Sequence, residues 1–277
     1  MKLKFVTLAL AGFFWSPVIA GDGGYHYDQD TVRPATYYAA LSNLASAVMF
    51  SGLGEKLIFS LYERDNWLRR VGFVTRPPMP ELALVGPVYA SGTPEFAATP
   101  DFSSPASLVW SETGVDRTLE PAAQAWTLLK ITSPLFHLQF HDLRENRIAA
   151  LMMIPQARAQ LKTLDRRLLD GGLFAPLAAD GTFGTATALD QAAVLWAASS
   201  LISAATSEAQ DYWHRAFADL TDPGDSRVVA ARAFAAISAL PAQGGFARAI
   251  TIQALGRYAA VAQDAPVKSQ ALKLARL

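Results

Sequence analysis

Two histidines four residues apart, His137 and His141, lie one helical turn before Glu145, with Asp142 beside them. On a helix, residues four apart share a face, so these three side chains could converge on one divalent metal and leave a coordination position open to water. A zinc peptidase helix, however, needs a glutamate directly after its first histidine to activate that water. Leu138 occupies the position here. Phe136, Leu138 and Phe140 surround the pair, which equally suits two ordinary histidines on a packed helix. Divalent metal at His137, His141 and Glu145 is therefore the one cofactor these residues could hold, and otherwise none is expected.

Other chemistry has a weaker footing. Asp22, His26, Asp28 and Asp30 lack the regular spacing and central glycine of a calcium loop. No Gly-x-Ser-x-Gly elbow is present, and no glycine-rich loop ends in Lys-Ser or Lys-Thr to cradle a phosphate. Glu81, Glu95, Asp101, Glu112, Asp116 and Glu120 could supply the two carboxylates of a glycoside hydrolase, but only if the fold set their separation. Cysteine is absent, which removes disulfides, thiolate nucleophiles and thiolate metal sites together.

The N-terminus reads as an address. Lys2 and Lys4 precede an apolar run from Phe5 to Trp15, and Ser16-Pro17-Val18-Ile19-Ala20 supplies a breaker and small residues before Gly21. That order matches a cleavable secretory signal peptide, and the run is shorter than the roughly 20 residues a membrane span needs. The expectation is a periplasmic or secreted protein starting near Gly21, with no membrane span in the mature chain. The whole chain carries 24 basic and 24 acidic residues, so losing Lys2 and Lys4 leaves a slight acidic excess. Nucleic acid, which selects a strong basic excess, is not an expected partner.

The elements that must position any site fall into three zones after the signal peptide at 1–20. Residues 21–70 read as a leader followed by a helical hairpin, Thr36 to Phe50 and Leu53 to Arg70, split at Ser51-Gly52. Residues 71–118 hold seven of the 16 prolines together with Leu82, Val85, Tyr89, Phe96 and Trp110. Proline stops helices, while the apolar residues need burial, so this zone reads as an extended segment wrapped on a helical body, with a strand near Leu82 to Tyr89. Residues 119–277 are alanine-rich and helical. Pro134 and Pro155 punctuate them, a loop follows at Asp170 to Gly184, a long helix runs from Ala188 to Leu220, and the next is capped by Asp225. A last helix covers Phe246 to Ala262, and sequential antiparallel packing is expected for these closing helices. The fold class is thus mostly α, a multi-helix bundle.

Arg215-Ala216-Phe217, Arg232-Ala233-Phe234 and Arg248-Ala249-Ile250 recur at 16- to 17-residue spacing, which leaves room for a short helical-repeat array. From Arg227 onward only Asp264 opposes a series of cations that includes Arg248, Arg257, Lys268, Lys273 and Arg276. With Tyr212 and Trp213, these form the expected contact residues, suited to an acidic protein or, weakly, an anionic surface. The sequence therefore leans away from catalysis and toward a binding, scaffold or assembly protein that acts on another cell-envelope protein. The alternative is an envelope hydrolase, metal-dependent or carboxylate-based, centred on His137, His141 and Glu145.

Overall fold

The segment Ala188–Ala205 distributes its apolar residues around the whole helix, with Asp190, Gln191 and three serines among them, and a helix with no predominantly polar side belongs in the interior. In the computed structural model that is where it lies. The structure describes residues 54–58, 83–89, 91–92, 95–99, 101, 111, 113–132, 144–208, 214, 217–218 and 222–276. Six helices account for most of them: α1 Pro121–Ile131, α2 Arg144–Arg167, α3 Ala188–Ala205, α4 Pro223–Ala239, α5 Gly245–Val261 and α6 Ala265–Leu274. Three short antiparallel pairs join β1 Gly54–Ile58 to β2 Ala83–Val88, β3 Ser91–Gly92 to β4 Val115–Asp116, and β5 Leu169–Asp170 to β6 Leu173–Phe174. The fold is mostly α and multi-helical.

Helix α3 is the axis of the molecule. Helices α1, α4 and α5 all pack on it, α2 lies outside α1 and against β2, and α6 packs on α5. Ala192, Ala193, Ala197 and Ala198 have no exposed surface, and neither have Val194, Leu195 and Leu201; Ser203 is the one exposed residue of the helix. Alanine at so many buried positions lets neighbouring backbones approach closely, which is how one helix can serve three partners. By length and composition α3 could cross a membrane, but its apolar surface is consumed inside the protein. Trp126 of α1 and Trp196 of α3 meet edge to face, with ring centroids 6.0 Å apart, a favoured aromatic geometry.

Several expectations are corrected. Gly54–Ile58 is a strand, not the start of a helix, because β2 supplies the hydrogen-bonding partner that local sequence cannot reveal. The strand expected near Leu82 to Tyr89 is present as β2. Pro155 does not break α2, which runs through it; Ile154, Ala157, Leu161 and Leu164 bury one side of the helix and hold it together despite the missing amide. Helix α3 ends at Thr206 instead of running to Leu220. Thr206 turns its hydroxyl back onto the Ile202 carbonyl at 2.8 Å, and Ser207 and Glu208 leave the helix. The cap of α4 is Asp222, which accepts from the Gly224 amide at 2.7 Å, while Asp225 sits inside the first turn. Finally, α4 and α5 both pack on α3 and touch each other little, whereas α5 and α6 do pack sequentially. The signal peptide at 1–20 and the helix at Thr36 to Phe50 lie outside the described residues.

Candidate functional site

Two features of the structure carry the most chemistry. One joins the starts of α1 and α3, and the other is the outward side of the closing helices.

At the first, two glutamines do the same work. Gln124 is the fourth residue of α1 and Gln191 the fourth of α3. Gln124 Oε1 accepts from the Val88 amide at 3.0 Å, and its Nε2 donates to the Val88 carbonyl at 2.6 Å. Gln191 repeats the pattern on Phe174, at 3.0 Å and 2.7 Å. Each Nε2 also reaches the carbonyl one turn back, Glu120 at 3.3 Å and Thr187 at 3.1 Å. Both glutamines are fully buried. A carboxamide carries a donor and an acceptor side by side, as a peptide unit does, so it stands in for a neighbouring strand on the side of Val88 and Phe174 that their paired residues, Gly54 and Leu169, leave open.

The extended residues are delivered by turns. Gly171 and Gly172, with φ of 54° and 87°, close the two-residue hairpin between β5 and β6, a turn that requires left-handed conformations at both positions. The chain then lays Leu177 against Leu119 in an antiparallel bridge, with reciprocal amide-to-carbonyl bonds of 2.8 Å and 3.0 Å. These contacts hold Val88, Leu119 and residues 174–177 on the helical body.

Acidic groups gather at the same junction. Thr187 and Asp190 form a reciprocal capping box on α3: Thr187 Oγ1 accepts from the Asp190 amide at 3.2 Å, and Asp190 Oδ2 accepts from the Thr187 amide at 3.1 Å and hydroxyl at 2.6 Å. Asp190 Oδ1 reaches across to the Ala122 amide of α1 at 3.3 Å. Burial pushes the Asp190 carboxyl up, opposed by its bonds from Thr187 and Ala122. Glu120 is raised by partial burial and then by the charges of Asp190 and Asp116. Asp116 is held low by the Thr118 hydroxyl and amide.

This cluster contains two of the six carboxylates from which a hydrolase pair could be drawn, Asp116 and Glu120, and its buried member, Asp190, has both oxygens engaged at helix starts. The arrangement is one that closes two helix ends. Because Glu120 binds its proton more tightly folded than unfolded, its ionisation costs stability, a loss that is absent below its ordinary pKa of 4.5 and complete above its raised one. Glu120→Gln is accordingly expected to raise the melting temperature by about 1 °C at pH 7 and leave it unchanged below pH 4. Thermal scans at the two values check this, and an equal effect at both would show that the charge is not the cause.

The second feature holds most of the residues expected to make contacts. Arg248 and Arg257 of α5, Lys268 and Lys273 of α6, and Arg276 beyond it are all exposed. None of the five joins an ion pair among the described residues, whereas Arg232 pairs with Asp165. Phe246 is 67% exposed, Ile252 51% and Leu272 40%. Helix α5 contains no acidic residue at all.

Tyr212 and Trp213 lie outside the described residues, as do His137 and His141, and with them Glu81 and Glu112. Glu145 is in the first turn of α2. Among the described residues no group of three or more His, Asp or Glu side chains is placed to hold a metal. Glu95 and Asp101 are exposed. The two glutamines were not singled out by sequence reasoning, although Gln-Ala recurs 67 residues apart, and Thr187-x-x-Asp190 is a legible capping pattern.

No protein-family model matches this chain, and neither a curated protein nor a solved structure does.

Proposed function

We propose that this is an exported protein that works by binding another protein of the cell envelope, with the outward side of α5 and α6 as its contact surface. The observation that carries the reading is the pairing of large exposed apolar side chains, Phe246, Ile252 and Leu272, with five cations that have no ionic partner among the described residues. A solvated face would intersperse both signs of charge and keep such residues inside. Contact surfaces combine an apolar centre with a charged rim. Export follows from Lys2, Lys4, the apolar run to Trp15 and the small residues ending at Ala20.

A photo-crosslinking amino acid placed at Ile252 in cells that make the protein tests the binding role. Expected is one dominant crosslinked envelope protein, with the mature chain beginning at Gly21 by N-terminal sequencing. Absence of any product above that from a crosslinker at exposed Ser203 would remove the basis for the reading, and a chain retaining Met1 in the cytoplasmic fraction would remove export.

A further inference from the structure

The outward side of α5 has a composition that narrows the partner. Ala249, Ile252, Gly256 and Ala260 follow one another at helical spacing and are all exposed, flanked by Phe246, Gln253 and Arg257. Three of the four residues in this line are small, so a second helix could approach to the roughly 8 Å separation of closely packed pairs. Phe246 and Ile252 would then stand beside it as knobs. Arg248 and Arg257 on α5, Lys268 and Lys273 on the packed neighbour α6, and Arg276 just beyond it are all exposed, and Asp264 is the one acidic residue between Gly245 and Arg276.

Resting on the proposed binding role, we infer that the occupant is an acidic amphipathic helix of another protein, laid along α5 with its apolar stripe on Ile252 and its carboxylates toward the cations. A second copy of this chain would set α5, with Arg248, Arg257 and no acidic residue, against itself, which opposes self-association. An anionic bilayer would satisfy the charges, but Ala249, Gly256 and Ala260 offer it little apolar area, whereas they are what close helix packing requires.

The probe is a fluorescent synthetic helix of about three heptads, leucine on one stripe and glutamate elsewhere, titrated with the full mature chain by anisotropy. Binding is expected to weaken at least tenfold in Ile252→Glu, an exposed substitution that leaves the core alone, and several-fold when salt is raised to about 0.5 M. A lysine-for-glutamate version of the peptide should not bind, and phosphatidylglycerol vesicles should neither bind the protein nor displace the glutamate peptide. The inference is overturned if the glutamate peptide fails to bind, if Ile252→Glu binds it as well as the parent, if vesicles displace it, or if sedimentation shows the chain dimerising through this face. Should the peptide fail while crosslinking at Ile252 still yields a protein partner, the partner chemistry is wrong and the binding role stands.

Discussion

Gln191→Ala is expected to lower the free energy of unfolding by about 2–4 kcal/mol. Phe174 is fully buried, and its amide and carbonyl are answered by the Gln191 carboxamide. Truncation would leave both without that partner, and an unsatisfied buried polar group costs about 1–3 kcal/mol. The measurement is a urea transition, where the midpoint should fall with the slope unchanged. Gln253→Ala, on the exposed side of α5, is the control and should change little. Gln191→Glu separates geometry from packing. An ionised carboxylate can accept from the Phe174 amide but only repels its carbonyl, whereas a protonated one can donate to it. A buried glutamate there would have a raised pKa, so stability would fall as pH rises through that value. The variant should therefore be strongly destabilised at pH 7 and recover toward pH 4. A loss below about 0.5 kcal/mol for Gln191→Ala would mean that water replaces the carboxamide at no cost, and the clamp would not be a determinant of the fold.

Ala198→Asp is expected to abolish cooperative folding. Ala198 has no exposed surface on α3, the helix on which α1, α4 and α5 all pack. A carboxylate there would be buried without a partner, costing more than about 4 kcal/mol, and the added volume would push apart helices that alanine allows to approach. Circular dichroism melting and the fraction of soluble protein read the outcome. Ala235→Asp on the exposed side of α4 makes a matched comparison and should melt close to the parent. If Ala198→Asp melted normally, α3 would not be the axis of the molecule, and the assignment of its apolar surface to the protein interior would fail.

Much of the architecture was legible from local patterns. The alanine-rich half announced helices, and Asp170 to Gly184 announced a loop, because periodicity and turn chemistry act over a few residues. The exposed cations of α5 and α6 were found in the same way, since charge needs no tertiary context to be counted.

What remained hidden depended on partners distant in sequence. Gly54–Ile58 becomes a strand because residues 83–88 lie beside it. Pro155 stays within α2 because burial of its neighbours outweighs one lost hydrogen bond.

The sequence by itself determined a mostly helical chain with a proline-rich region, a strand near Leu82 to Tyr89 and a basic end. Only the tertiary structure decided that Gln124 and Gln191 would complete the backbones of Val88 and Phe174, 36 and 17 residues away, and that Phe246 and Ile252 would remain outside. The physical reason is common to both. A carboxamide or an apolar side chain has the same intrinsic preferences wherever it stands, and its role is set by which surfaces the completed fold leaves it to face.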